Sequence, residues 1–94
     1  MLIVSGRLYV RKGCREEYLK LSIDAVAQAR WAAGCKDFVV AADPLEPDRV
    51  NIYEEWESEK QLLAFRGAGP KSSMFSLIER FGVSRHVVAL SGPP

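Results

Sequence analysis

Arg49-Val50-Asn51-Ile52-Tyr53-Glu54-Glu55-Trp56-Glu57-Ser58-Glu59-Lys60-Gln61-Leu62-Leu63-Ala64-Phe65 changes its periodicity half-way along. Arg49 to Glu57 is rich in Val, Ile, Tyr and Trp, residues that fit a pleated, half-buried surface, and predicts a strand. Ser58-Glu59-Lys60-Gln61 has the form of a capping box, a serine three residues before a glutamine, and starts a short helix running through Phe65. A strand that hands over directly to a capped helix sets the frame for the rest of the chain.

Upstream, Cys35 to Ala42 reads as another strand, ended by Asp43-Pro44 and a short loop through Pro47-Asp48, so the two strands form a hairpin. Before it, Arg15 to Ala33 places Leu19, Ile23, Val26 and Ala27 at helical spacing. Glu16 and Glu17 suit the N-terminal dipole of that helix, Arg30 suits its last turn, and Gly34 sits where a left-handed cap is wanted. Leu2 to Val10 alternates with apolar character on both faces, a first strand broken by Arg11-Lys12-Gly13. Downstream, Gly67-Ala68-Gly69-Pro70 interrupts the short helix. Ser72 or Ser73 then caps a further helix carrying Met74, Phe75, Ile78 and Phe81, stopped by Gly82. Val83 to Leu90 is the last strand and residues 91–94 are a tail. The order is β-α-β-β-α-β, a ferredoxin-like α+β arrangement: a four-stranded antiparallel sheet with helices on one face, in a single domain over 1–94.

That arrangement leaves one sheet face uncovered. Strand parity puts Ile3, Tyr9, Phe38, Val40, Tyr53, Val88 and Leu90 there, an apolar patch that calls for a homodimer packed sheet against sheet.

Composition narrows the partners. Ninety-four residues make room for one small core, with about 60–65% of the unfolded surface buried. The chain is 48% hydrophobic and 27% charged, which is globular rather than disordered. Thirteen Lys and Arg against twelve Asp and Glu leave a formal charge of +1, without a basic stripe for nucleic acid or an anionic membrane. The longest apolar run, Phe38 to Ala42, is far short of a membrane span, and the N-terminus turns polar too early for a signal peptide. The expectation is a cytoplasmic protein. Cys14 and Cys35 bracket a helix that holds them ~27 Å apart, beyond disulfide reach, so both read as small buried hydrophobes. Two thiols, one His and no CxxC spacing offer no metal site.

Several segments together resemble the antibiotic biosynthesis monooxygenase domain family. They are Arg30-Trp31-Ala32-Ala33-Gly34-Cys35-Lys36-Asp37-Phe38, Ala42-Asp43-Pro44, Asn51 through Ser58, and Leu62-Leu63-Ala64-Phe65. The resemblance runs from the first strand to the last. It implies a dimeric α/β barrel and, where members are enzymes, oxygenation of quinols or anthrones without metal or flavin. It also implies that an aromatic at Trp56 lines the pocket. Phe65 and Pro70 stand where many relatives carry His. The haem-degrading branch has Asn, Trp and His where this chain has Gly6, Phe65 and no His, which argues against haem degradation.

Candidate chemistry follows from parity. Leu2, Val4, Gly6 and Leu8 share the helix-facing side with Val50, Ile52, Glu54, Trp56, Val83, Arg85 and Val87. Glu54 and Arg85 therefore point into the core, where unpaired charge is costly. They are either polar contacts of a pocket beside Gly6, walled by Trp56, Phe65 and Phe75, or a structural ion pair. Trp31 either covers that pocket or closes the core. Gly67-x-Gly69 follows a helix rather than a strand, so it is a turn or gate and not a dinucleotide fingerprint. His86 falls on the dimer-facing side, as an interface residue or a base. The resulting expectation is a cofactor-independent monooxygenase of a small aromatic substrate, with Arg85 stabilising the substrate anion and Glu54 or His86 taking its proton. Two other readings remain open on the same scaffold: a non-catalytic ligand-binding member, and an isomerase or cyclase.

Overall fold

The computed structural model describes residues 1–67 and 72–94, with the side chains of residues 72 and 73 outside the description. The interruption expected at 68–70 and the cap expected from Ser72 or Ser73 lie outside the described residues. The elements are β1 (Leu2–Val10), α1 (Arg15–Trp31), β2 (Cys35–Ala42), β3 (Arg49–Trp56), α2 (Glu59–Gly67), the short α3 (Ser72–Phe75) and β4 (Ile78–Val87). One antiparallel sheet has the strand order β2-β3-β1-β4 with helices packed on one face, the ferredoxin-like arrangement.

Ser58 and Gln61 start α2 as their sequence suggests, whereas α1 stops at Trp31 with an extended Ala32 as its C-cap, so Gly34 makes the turn into β2 rather than capping the helix. Gly34 adopts φ +84°, and a Cβ there would run into the side-chain amide of Gln61. In the capping box, the Gln61 backbone N–H donates to Ser58 Oγ at 3.4 Å, while the serine hydroxyl lies 3.0 Å from Gln61 Oε1. The β2–β3 loop folds around Asp43, whose carboxylate accepts from the Leu45 and Glu46 N–H groups and from Asn51 Nδ2 at 2.9 to 3.0 Å. Arg15 clamps this loop from α1, donating to the Asp43 and Glu46 carbonyls at 3.0 and 2.8 Å.

Three further expectations are corrected. The segment carrying Ile78, Phe81 and Gly82 is strand, not helix: Ile78 pairs with Val10, Phe81 with Leu8 and Gly82 with Arg7. Nine-residue β1 has backbone groups to satisfy along its whole β4 side, and this pairing satisfies them. β4 correspondingly ends at Val87, and Leu90 lies in the exposed tail.

The second correction concerns β2. Cys35 pairs with Trp56 but Asp37 pairs with Glu55, so the register shifts by one residue at this irregularity. The shift turns Phe38 and Val40 to the helix side, opposite Glu54 and Ile52. Both were expected on the uncovered face. Their places there are taken by residues such as Val39, opposite Tyr53. That face is also more polar than parity suggested: Tyr53 donates to Glu55 at 3.0 Å, and the Arg80 guanidinium lies 4.0 Å above the Tyr9 ring.

The third is the rotation of α1. Tyr18, Ser22 and Ala29 are buried and Ala25 is half-buried, whereas Ile23 and Ala27 face outward. Small residues along the inner stripe bring the helix close to the sheet, and Ser22 satisfies its hydroxyl on the Leu19 carbonyl at 2.7 Å. Cys14 and Cys35 are free and half-buried rather than fully buried.

Candidate functional site

The core divides into two clusters. Leu2, Val4, Ala29, Phe38, Trp56 and Leu62 fill one end of the sheet–helix layer, and Leu8, Val10, Tyr18, Val50 and Met74 fill the other. Between them runs a cavity of about 770 Å³, inside the range of small-molecule sites. Its floor is the sheet, from Val4 and Leu8 on β1 to Ile52 and Glu54 on β3 and Val83 and Arg85 on β4. Its walls and roof come from Phe38 and Val40, from Tyr18 and Ala25, from Phe65 and Arg66, and from Met74 and Phe75.

Gly6 belongs to the row between the two clusters, opposite Ile52 and Val83. It does not open the cavity in the way expected. Its φ is +145°, and a Cβ would collide with the carbonyl oxygen of Gly82, so glycine is required here for the close approach of β4.

Glu54 is the buried charged group of the site. It is 7% exposed, and its Oε1 accepts a 2.9 Å hydrogen bond from Trp56 Nε1. Burial pushes the Glu54 carboxyl above the ordinary carboxylate range, opposed by the Trp56 hydrogen bond and by the charge of Arg66. Strand pairing explains the geometry. Glu54 and Trp56 stand two residues apart on one face of β3, so the indole N–H lies beside the carboxylate.

Arg85 shares a row with Glu54, but Val4 stands between them on β1. Two strand spacings separate their Cα atoms by about 10 Å, and among the described residues the two do not form an ion pair with each other. Arg85 pairs instead with Glu59 in the first turn of α2, at 3.3 Å. Both Glu54 and Arg85 line the cavity.

The aromatic residues divide. Phe65 and Phe75 line the cavity. Trp56 does not: at 0% exposure it lies behind Phe65, ring centroids 5.4 Å apart, and supports the wall and Glu54 from inside the core. Trp31 neither covers the cavity nor closes the core, being 91% exposed at the end of α1. His86 pairs with Ile3 on the uncovered face, away from the cavity. Among the described residues no three His, Cys, Asp or Glu side chains converge as metal ligands.

Arg66 and Tyr18 are among the lining residues that escaped the sequence reading. Arg66 stands in the last turn of α2, where a cation suits the helix dipole and hides any second role. Tyr18 lies one residue from Leu19, the position that helical periodicity favoured, and the rotation of α1 turns it inward. Burial pushes its phenol up to about 12.

No helix among the described residues is long and apolar enough to cross a membrane. No curated protein matches the sequence significantly. Solved structures match the fold at low identity. A protein from Deinococcus radiodurans described as a candidate antibiotic biosynthesis monooxygenase superposes with a TM-score of 0.86 at 17% identity, over 100% of this chain and 98% of that one. Rv0793 from Mycobacterium tuberculosis gives 0.82 at 17% identity, over 98% of each chain. A protein from Chloroflexus aurantiacus, described like the first, gives 0.75 at 23% identity, over 98% and 96%. The family model for antibiotic biosynthesis monooxygenase matches residues 1–70, which take in β1 through α2 and most of the cavity floor, and the chain belongs to that family.

Proposed function

We propose that the protein is a cofactor-independent monooxygenase that uses O2 to oxidise an electron-rich aromatic, of the quinol or anthrone type, held between sheet and helices. The observation that carries this reading is a single carboxyl, Glu54, buried in the floor of an otherwise largely apolar cavity. Family membership supports it. An apolar cavity desolvates and orients a flat aromatic, and a desolvated carboxylate is a stronger base than one in water. Glu54 takes a proton from the acidic methylene of the substrate. The resulting anion is stabilised by Arg85 and Arg66, both at the cavity. It then gives its electrons to O2, a C–O bond forms, and the hydroperoxide loses water to leave a carbonyl. For an anthrone the balance is CH2 plus O2 to C=O plus H2O, so the substrate supplies all four electrons and no external reductant is required. His86, on the other face, is left out of this scheme.

Oxygen uptake by metal-stripped protein with a panel of quinols, anthrones and naphthols tests the reading. Uptake above the spontaneous rate, abolished by Glu54→Gln and reduced by Arg85→Ala, is the expected result. Undiminished uptake in Glu54→Gln removes the carboxyl from the mechanism. Absence of uptake across the panel, with the compounds still bound, favours a ligand-binding or an isomerase role.

Ile3, Tyr9, Val39 and Tyr53 on the uncovered face support a second proposal, a homodimer joined sheet to sheet. Sedimentation equilibrium should give twice the 10.5 kDa chain mass, and Ile3→Glu should restore the monomer. A wild-type protein monomeric at high micromolar concentration would overturn it.

A further inference from the structure

β2 stands at one edge of the sheet, with β3 on one side and no strand on the other. The Asp43 N–H donates to the Arg49 carbonyl at 3.1 Å. Asp43, Ala41 and Val39 therefore aim their backbone groups at β3, and Phe38, Val40 and Ala42 aim theirs outward. The two groups of Phe38 are already taken: its N–H donates to Asp37 Oδ1 and its carbonyl accepts from Arg30 Nε, both at 2.9 Å. At the other end, Pro44 is the next outward position after Ala42 and has no N–H. Between these two closed ends, the N–H and C=O groups of Val40 and Ala42 meet no partner among the described residues. Open edge groups are a template for pairing with a further strand.

The open groups fit a second copy of the same strand. In an antiparallel pairing about a two-fold axis at Ala41, Val40 of each copy faces Ala42 of the other. Each facing pair exchanges two hydrogen bonds, so all the open groups are satisfied. Phe38 then falls opposite Pro44, the one with its groups occupied and the other without an N–H, and the ladder closes with nothing left over. The neighbouring two-fold registers fail. An axis at Val40 sets Ala42 against the occupied Phe38, and an axis at Ala42 sets Val40 against Pro44. The residue on the working axis, Ala41, is exposed and small enough for the ~4.5 Å Cα separation of a non-hydrogen-bonded pair. On the helix side a groove of about 540 Å³ runs along this edge, with Leu19, Ile23 and Val26 of α1 beside Val40 and Ala42. Ile23 is 62% exposed, and a second copy would bring another α1 alongside to cover it. Glu16 and Lys20 at the groove carry opposite charges one turn apart, so their charges do not drive two copies apart.

We propose that the β2 edge is a self-association surface, on which two copies join antiparallel through Val40 and Ala42 about an axis at Ala41, making one sheet continuous across both. This surface is distinct from the uncovered face, because it uses the outer edge of β2 and the exposed side of α1. It is independent of what the cavity holds. A two-residue ladder and one shallow groove fall below the size of a permanent interface, so the association is weak, with a Kd on the order of 0.5 mM.

Disulfide trapping tests both the contact and its register. Ala41→Cys puts two thiols at the axis, within disulfide reach, whereas Ala42→Cys puts them about 8–9 Å apart at Cα, beyond it. Oxidised at ~0.5 mM protein, Ala41→Cys should give a cross-linked pair about tenfold faster than Ala42→Cys or the wild type. The native Cys14 and Cys35 set the background in all three. Peptide mass spectrometry should place the bridge between the two copies of position 41. Adding Ala42→Pro deletes an outward N–H that no bond within the chain uses, and should return the rate to background while the circular dichroism melt is retained. Cross-linking should persist when Ile3→Glu is added, since that substitution lies on the uncovered face. No cross-link above background overturns the self-pairing and leaves the edge to a strand of another protein. Equal rates in Ala41→Cys and Ala42→Cys, or a rate unchanged by Ala42→Pro in a folded protein, overturn it too. Loss of the cross-link with Ile3→Glu would assign the contact to the sheet-to-sheet dimer and overturn the edge proposal alone.

Discussion

Replacing Trp56 by Phe separates the two things that Trp56 does, filling the core and holding Glu54. The indole is fully buried, and its N–H is the hydrogen-bond donor recorded for the Glu54 carboxylate, at 2.9 Å. Phe keeps most of the ring volume, so the packing loss is about 1 kcal/mol, a fraction of the 3–5 kcal/mol for Trp to Ala. Leaving a buried carboxylate without its donor adds about 1–3 kcal/mol. The sum, about 2–4 kcal/mol, corresponds to a fall in melting temperature of roughly 10–30 °C for a chain of this size. Urea titration followed by far-ultraviolet circular dichroism at fixed protein concentration measures it. Fluorescence is unsuitable, because the remaining Trp31 is exposed. In the double variant Glu54→Met/Trp56→Phe both partners are gone and only the packing part of the Trp56 loss should persist on the Glu54→Met background, a coupling of about 1–3 kcal/mol. The pH dependence has a definite sign. Burial raises the folded-state pKa of Glu54, so its contribution favours the fold below the ordinary carboxylate value and is lost as pH rises through the raised one. Trp56→Phe removes a hydrogen bond that lowers this pKa, so its penalty should be larger at pH 8 than at pH 4. Additive single-variant effects, or a penalty equal at both pH values, would refute the reasoning.

Gly34→Ala should destabilise the fold by about 1–2 kcal/mol for the left-handed backbone alone, and by more because the new methyl meets the Gln61 amide; Gln61→Ala in the same chain should return the steric part but not the backbone part, read by urea titration. Asp43 should govern acid unfolding: its carboxyl is held down to about 2, first by the Asn51 hydrogen bond and then by the Glu46 N–H. Its stabilisation is present above the unfolded carboxylate value near 4 and is lost as pH falls toward 2, so Asp43→Asn should flatten the stability curve in that window, and an unchanged acid transition would remove Asp43 from it.

The fold was legible because three local signals agreed on it. Ser58 and Gln61 marked the start of α2, Gly34 marked the turn from α1 into β2, and alternation along β1 and β3 fixed which residues face the helices. Glu54 and Arg85 followed from that parity and, with Phe65 and Phe75 of the helical segments, do line the cavity. The misreadings have separate physical causes. A register shift between Cys35 and Asp37 reverses every later side chain of β2, and nothing in Cys35-Lys36-Asp37 announces it. Apolar residues at helical spacing, Met74, Phe75, Ile78 and Phe81, equally suit a strand, and it was the unpaired side of β1 that decided between the two. Trp31 was expected over the pocket or in the core, but among the described residues nothing covers it at the end of α1.

The cavity itself is less legible than any of its residues, because it is set by where side chains are small as much as by where they are large. Ser22, Ala25 and Ala29 let α1 lie close to the sheet, and Gly6 lets β4 lie close to β1. Close approach on both sides would ordinarily close a core of this size. The gap nevertheless survives between the two clusters, and Gly6 does not make it, because a side chain there would meet the Gly82 carbonyl rather than the cavity. Packing arguments treat such a gap as a loss of dispersion energy and hydrophobic burial. The buried Glu54 carboxyl adds the cost of a charged group removed from water, so the cavity is held open against both packing and solvation.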